Sequence, residues 1–307
     1  MKVVIFGGGG FIGSAITDRL LKDGHSVRIF ERPRVTPYRT FSSTEHVEWL
    51  TGDLLSTHDV TEAIDGVDVV VHLVSTTLPK SSNDDPIYDV QSNLVATLQM
   101  LTLMVQKKIP KIVFISSGGT VYGTPEYLPI DERHPTEPRV SYGITKLAIE
   151  KYLLMYQRMH GLKAVILRVA NPYGERQRIE TAQGAVGVFL HRALKHEAID
   201  IWGDGSVTRD YIYIGDVANA FALAVQYDGM QSVFNISSGH GTSLNELLGV
   251  LERALGYCVV RNYVPGRTFD VPTSILACEL AKTELGWSPS VGLEDGVEIT
   301  VDWLKRQ

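Results

Sequence analysis

The chain has 307 residues, 44% hydrophobic and 21% charged, with 29 Lys and Arg against 35 Asp and Glu. This is globular composition with ample apolar material for a core, and a net charge of −6 argues against nucleic acid or an anionic membrane as partner. Two cysteines, Cys258 and Cys278, form neither a disulfide framework nor a metal-ligand spacing, so no metal is expected and a reduced, cytoplasmic setting fits.

Lys2–Phe6 predicts a short buried strand and Phe11–Lys22 a helix. Glycines follow Phe6 where the apolar core of a signal peptide would continue, and no later apolar run approaches the roughly 18–20 residues of a membrane span. Between strand and helix lie Gly7, Gly8, Gly9 and Gly10, and Gly7, Gly10 and Gly13 have the spacing G-x-x-G-x-x-G. Glycine inside an element costs about 0.5–1 kcal/mol relative to alanine, so the run needs a reason. The first glycines permit a tight turn and close approach of the backbone to a pyrophosphate; the last permits close helix–strand packing. The helix N-terminus adds free N–H groups and a partial positive charge.

A flexible turn would also produce such a run. The strand–turn–helix context favours a dinucleotide site, as does Glu31, 18 residues after Gly13 at the end of a second strand, Ser26–Phe30. Glu31 would accept hydrogen bonds from a ribose diol and repel a 2′-phosphate, which favours NAD. Arg32 and Arg34 cut the other way, since arginines there would pair with the extra phosphate of NADP; Arg32 would otherwise stack on adenine or stay solvated.

Pro33–Thr44 reads as an irregular loop and Val47–Leu50 as a third strand. Asp53 and Leu54 then border the adenine, or Asp53 is a plain exposed loop residue. A polar helix spans Thr57–Ile64, apolar strands Val67–Val74, Lys111–Ser117 and Ala164–Val169, and a polar loop Ser81–Pro86. Apolar strands spaced by helices predict an α/β chain with a doubly wound parallel sheet, the Rossmann arrangement, whose ligands lie at the carboxyl ends of the strands. Helices Leu94–Val105 and Leu147–Tyr156 are apolar on almost all sides, which requires burial on two sides, within the monomer or in a homodimer. Residues 1–170 form the cofactor domain. Past Asn171 loops lengthen and aromatics and arginines enter them, so 171–307 reads as a smaller mixed α/β domain, with a segment around 211–225 returning to the first.

In Ser141–Leu153 (SYGITKLAIEKYL), Tyr142 and Lys146 are four residues apart on one helix face. A free phenol has a pKa near 10; a nearby ammonium and a positive nicotinamide ring would favour the phenolate and lower it. The lysine would also hold the nicotinamide ribose. This spacing alone is often mere helix surface, but here it follows a dinucleotide fingerprint and a strand ending SSGGTVYG.

GGGGFIG, DVVVHLV, SSGGTVYG, YGITK, LRVANPYGERQ, WGDGSVTRDYIY, FNISSG and LGWSPSVGLEDG occur in this order. Over about its whole length the chain resembles the extended short-chain dehydrogenases/reductases of the nucleotide-sugar epimerase and dehydratase type. The resemblance implies bound NAD, a nucleoside-diphosphate sugar, and chemistry that starts with hydride transfer from a sugar carbon. At Gly118 it implies a serine or threonine bonding the reacting hydroxyl. The glycine is a departure, leaving Ser117, Thr120 or a water to do this, or an impaired chain. The dehydratases carry Asp-Glu where this chain has Gly119 and Thr120, and the decarboxylating members' acidic and basic groups have no match there either. Tyrosine, lysine and cofactor remain, which suffice for 4-epimerisation.

The catalytic set is therefore Tyr142 and Lys146 with Thr120 or Ser117. The cofactor set is Gly7, Gly10, Phe11, Ile12, Gly13, Glu31, Arg32, Asp53, Leu54, Leu73, Val74, Ser75, Asn93, Ser116 and Ala170, beside Tyr142 and Lys146. Asn93 matches a residue near the tyrosine, with helix capping as the alternative. On the substrate side the resemblance gives Arg209 and Arg267 to the diphosphate, which arginine forks bind bidentately, Asp270 to the uridine ribose, Trp202 to the uracil and Asn171 to the sugar-phosphate. The alternatives are surface ion pairs for the arginines and core packing for Trp202. Ser274 stands where UDP-galactose 4-epimerases that reject acetamido sugars carry a tyrosine. Its small side chain leaves room for an N-acetyl group, and Gly118 is expected to open the site further, so UDP-GlcNAc/UDP-GalNAc is expected as substrate, beside UDP-Glc/UDP-Gal. Two other readings stand: an NADPH-dependent reductase of 4-keto nucleotide sugars, supported by Arg32 and Arg34, and an NAD(H)-binding module without turnover, supported by Gly118.

Overall fold

A computed structural model of the protein describes residues 1–79, 81–177, 184–266 and 271–306. The chain opens with β1 (Lys2–Phe6), α1 (Phe11–Lys22), β2 (Ser26–Glu31), β3 (Val47–Thr51), α2 (Thr57–Ala63) and β4 (Val69–His72). A short helix α3 (Pro86–Asp89) runs through a π-helical turn, Val90–Val95, into α4 (Ala96–Lys107). Then come β5 (Lys111–Ser117), α5 (Ser141–His160) and β6 (Lys163–Val169). The remainder comprises β7 (Asn171–Tyr173), α6 (Ala185–Leu194), β8 (Ile199–Trp202), β9 (Thr208–Tyr213), α7 (Ile214–Gln226), β10 (Val233–Ile236), β11 (Gly241–Ser243), α8 (Leu244–Leu255), β12 (Arg261–Val264), β13 (Thr273–Ser274) and α9 (Leu293–Leu304).

Seven parallel strands form the main sheet in the order β3-β2-β1-β4-β5-β6-β10. The first six are the strands the apolar runs predict; β10 joins from far along the chain, beside β6. Strand order reverses between β1 and β4, so a crevice opens at their carboxyl ends. Alternate strand residues feed two cores. Val3 and Ile5 join Ile16 and Leu20 of α1 and Phe221 of α7 on one face; Val4 and Phe6 join Met100 and Met104 of α4 and Ile149 and Leu153 of α5 on the other. A third core, with Leu190, Ile201, Tyr211, Leu247 and Leu251, belongs to the second unit, where α6, α8 and α9 cover the small strands.

Strand β9 pairs with β7, β11 and β13 in a separate small sheet, and α7, which follows it directly, packs on α1 under the main sheet. The second unit is thereby anchored at both ends of the Tyr211–Gln226 stretch. Helices α4 and α5 bury one face each and leave Val95, Ile144, Tyr152 and Met159 more than a third exposed. No helix of the described residues is long and apolar enough to cross a membrane.

Candidate active site

The glycine turn sits at the crevice, and its four glycines, with Gly13 in the first turn of α1, are bare for different reasons. Gly7 has φ +87°, a conformation that glycine adopts without steric cost. A Cβ on Gly8 would lie 2.9 Å from Ile29, one on Gly9 2.6 Å from the Trp49 ring, and one on Gly13 2.3 Å from the Gly7 carbonyl oxygen. These three keep the turn packed against β2, β3 and α1. At Gly10 the nearest atom would be 3.6 Å away, so nothing inside the protein requires that glycine. It faces open space before the first turn of α1, which has no side-chain cap and no acidic residue. The N–H groups of Phe11, Ile12 and Gly13 therefore meet a cradle that suits a pyrophosphate. Gly10→Ala is expected to keep the wild-type melting temperature while retained NAD falls about tenfold or more, read from the nucleotide released on denaturation. Unchanged NAD content would remove Gly10 from the binding site.

Glu31, at the end of β2, accepts hydrogen bonds from the N–H groups of Gly9 (3.2 Å) and Arg32 (3.3 Å), and burial holds its carboxyl above the usual range. These two N–H groups keep it at the lip of the turn, where a ribose diol would lie. Arg32 and Arg34 are exposed. Asp53 is exposed and accepts from the Leu55 N–H (2.9 Å), a local turn bond, while Leu54 is buried with Phe6 and Phe30. Leu73 and Val74 leave β4 beside Gly7, and Ala170 follows β6 with its N–H bonded to the Ile236 carbonyl.

Tyr142 lies in the first turn of α5. That helix has no side-chain cap of its own; instead the N–H groups of Ser141 and Tyr142 donate to Asn83 Oδ1 (2.9 Å) and Ser82 Oγ (3.0 Å) of the 3₁₀ turn Ser81–Asn83. Lys146 is 3% exposed. Its Nζ donates to the Ile115 carbonyl (3.1 Å) and lies 5.6 Å from the centre of the Tyr142 ring. Burial pushes the ammonium down to about 8, against Asp89 and Glu150.

The expected lowering of the phenol rests on the lysine together with the nicotinamide ring; in the chain by itself the balance runs the other way. Burial, then the Asp89 charge, push Tyr142 up to about 12, with only a hydrogen bond to Ser75 acting the other way. The Lys146 ammonium donates to a backbone carbonyl and does not offset the desolvation of the phenol.

Two expectations are corrected. Gly118 does not widen the site: a Cβ there would lie 2.3 Å from Leu276 Cδ1, and Leu276 is itself 1% exposed. The Gly118 N–H is also taken by the Val169 carbonyl (2.9 Å). Ser116 turns away from the crevice. Strand alternation points it at α5, where its hydroxyl donates to Glu150, the buried partner of Arg168 (2.6 Å). Ser117, the next residue, is half-buried on the other face, and no hydrogen bond among the described residues uses its hydroxyl. Thr120 Oγ1 is buried with no hydrogen-bond partner among the described residues, and the Thr120 backbone packs on Gly143, next to the phenol's residue.

Asn93 caps no helix. It sits in the π-helical turn, 5% exposed, accepting from the Thr76 N–H (2.9 Å) and donating to Asp89 (2.9 Å). On the substrate side, the Asn171 amide donates to the Asp210 carbonyl (2.8 Å) and Arg209 to those of Thr208 and Val271. Trp202 is 41% exposed, not core. Ser274 is buried on β13, in register with Arg209. Arg267 and Asp270 lie outside the described residues. Asp89, Glu150 and Leu276 have no motif around them, and sequence reasoning missed all three; a carboxylate in an otherwise apolar helix, at Glu150, is the one signal that was available.

The chain was compared with known proteins. The model of the NAD dependent epimerase/dehydratase family matches residues 3–237. A UDP-glucose 4-epimerase from Mycolicibacterium smegmatis is 34% identical over 312 residues, covering 100% of this chain and 99% of that protein. Relatives with other activities also match, among them a dTDP-4-dehydro-6-deoxyglucose reductase from Escherichia coli at 32% identity over 96% of this chain and 95% of that one. Among solved structures, a Thermotoga maritima UDP-glucose 4-epimerase with UDP-glucose superposes with a TM-score of 0.94 at 33% identity, covering 100% and 99% of the two chains. A UDP-N-acetylglucosamine 4-epimerase from Methanobrevibacter ruminantium in complex with UDP-N-acetylmuramic acid gives 0.93 at 28%, covering 100% and 98%.

Proposed function

Because this chain belongs to the NAD-dependent epimerase/dehydratase family, we propose that it interconverts UDP-hexoses at C4, including the N-acetylated pair UDP-GlcNAc/UDP-GalNAc. It is a nucleotide-sugar 4-epimerase, and its cofactor is NAD. The chemistry NAD would supply when bound is a reversible hydride acceptor for C4 of the sugar and a positive ring that would favour the phenolate. The rest is the work of the chain. Gly7, Gly10 and the start of α1 hold the pyrophosphate, and Glu31 takes the adenine ribose. Lys146 holds the nicotinamide ribose and keeps a positive charge under the phenol. Tyr142 removes the C4-hydroxyl proton and later gives it back. Arg209 and Arg267 grip the diphosphate while the sugar turns over, with Asp270 on the uridine ribose, Trp202 on the uracil and Asn171 near the sugar-phosphate.

The observation that carries this reading is the Thr120 hydroxyl, buried without a hydrogen-bond partner among the described residues, beside the turn that bears Tyr142. A buried hydroxyl without a bond costs about 1–3 kcal/mol, a cost relieved when a sugar hydroxyl docks on it. Ser117 is the second candidate for that contact. Gly119 meets nothing within 4 Å, so open space stands where an acid would be needed for dehydration. For the acetamido group the support is Ser274, small and in register with the diphosphate arginine Arg209. A homodimer through α4 and α5 is supported by exposed apolar side chains, Val95 just before α4 and Ile144, Tyr152 and Met159 on α5.

The test is to denature the purified protein, identify the released nucleotide, and follow UDP-Glc, UDP-Gal, UDP-GlcNAc and UDP-GalNAc by NMR. Retained NAD and equilibration within both pairs are expected. Activity on the non-acetylated pair alone would reject the wider specificity, and steady NADPH consumption with a 4-keto sugar would replace the epimerase by a reductase. Sedimentation of the same sample reads the dimer against a 33.9 kDa monomer.

A further inference from the structure

Asp89 is a fully buried carboxylate, 0% exposed, at the end of a four-residue helix. Among the described residues it makes no ion pair. It is held by hydroxyls and an amide from three separate segments. Thr77 Oγ1 and Asn93 Nδ2 (2.9 Å) donate to its Oδ1, and Ser141 Oγ (2.7 Å) and Thr145 Oγ1 (2.8 Å) donate to its Oδ2. Ser141 and Thr145 flank Tyr142 along α5, so two of the four bonds fix the helical turn that carries the phenol. The other two, with the bond from the Thr76 N–H to Asn93, fix the loop after β4, whose Ser75 reaches the phenol. An unpaired buried charge is costly unless hydrogen bonds solvate it, and four donors do so here.

We propose that Asp89 is a positioning residue for the reaction, a buried carboxylate that clamps the turn bearing Tyr142 to the Ser75–Thr77 loop. This rests on the reading of Tyr142 as the base. The groups facing Tyr142 and Lys146 are Ser75 from the loop, His72 from β4, the Ile115 carbonyl from β5 and Glu150 from α5, itself paired with Arg168 of β6. Asp89 opposes ionisation of the phenol and opposes deprotonation of the ammonium, because negative charge raises both groups. Removing that charge lowers both.

The experiment measures kcat, KM and the pH profile of kcat/KM for wild-type, Asp89→Asn, Asp89→Glu, Ser141→Ala, Thr145→Val and Tyr142→Phe holoenzymes on the UDP-sugar pair the enzyme accepts. In Asp89→Asn both limbs of the profile are expected to move to lower pH by about one unit, with kcat down about tenfold and KM nearly unchanged. Ser141→Ala and Thr145→Val are expected to lower kcat without moving the limbs, and Asp89→Glu to restore the wild-type limbs. A uniform loss in Asp89→Asn with unshifted limbs would reduce Asp89 to a structural role and overturn the proposal. Should Asp89→Asn fail to fold, wild-type kcat in both hydroxyl variants would overturn it as well. Full activity of Tyr142→Phe would instead show that the base is wrongly assigned, a separate failure.

Discussion

Tyr142→Phe is expected to lower kcat by about 10²–10⁴-fold, while KM, retained NAD and the melting temperature stay close to wild type. The substitution removes one oxygen from a half-buried ring whose backbone is fixed by Ser82 and whose neighbours are fixed by Asp89, so the turn keeps its shape. What disappears is the group proposed to take the C4-hydroxyl proton. Lys146 is not a substitute, since its ammonium already donates to the Ile115 carbonyl and carries no lone pair to accept a proton. With the phenol pushed up to about 12 in the protein alone, the phenolate needs a positive neighbour beyond Lys146, and none of the described side chains provides one. The wild-type enzyme stripped of NAD should therefore show no spectroscopic phenolate at neutral pH, and adding NAD should bring its titration down. Near-wild-type turnover in the phenylalanine variant would remove the phenol from the mechanism, and with it the distinction between an enzyme and a sensor of NAD(H).

Gly118→Ser is expected to destabilise the fold by about 1–3 kcal/mol, the usual cost of forcing extra atoms into a packed core, and not to add a working hydroxyl. The added Cβ would meet Leu276 Cδ1 at 2.3 Å and the Arg168 carbonyl at 3.2 Å. Leu276 has little room to retreat: its N–H donates to Asp210, its carbonyl accepts from the Ser237 hydroxyl, and its side chain packs with Val121, Tyr122 and Ile130. Leu276→Ala alone leaves a cavity and costs about 2–5 kcal/mol. The two changes relieve each other, so a double-mutant cycle by urea unfolding should give a favourable coupling of about 0.5 kcal/mol or more. Additive costs would mean that the strand end moves aside and that Leu276 is no barrier. A leucine from far along the chain is thus seated against Gly118, just past the end of β5. The proposed replacement for the hydroxyl at that position is Thr120, whose own hydroxyl is buried.

Much of the molecule was written locally. The central strands of the first half are visible as apolar runs, because strands covered on both faces need few polar positions, while β3, at the sheet edge, is read from Val47, Trp49 and Leu50 and stays partly exposed. The glycine turn and the Tyr142–Lys146 pair are visible because their partners lie within one turn of the chain. What stayed hidden involves long loops. β10 is four residues long and becomes a sheet strand only because β6 presents a free edge to it. Alternation implies that Ser116 and Ser117 face opposite ways, but which of them faces the crevice depends on which side α5 covers. Asp89 reads as one more polar residue in a loop until Ser141 and Thr145, more than fifty positions on, donate to it. Leu276 reads as any apolar residue until it fills the space above Gly118. The sequence by itself determined the elements, their sheet and the chemical groups of the site, since these follow from periodicity and backbone freedom. The tertiary structure decided which of those groups face the crevice, how they are charged and what holds them, since desolvation, steric contact and buried hydrogen bonds depend on residues that meet only when the chain is folded.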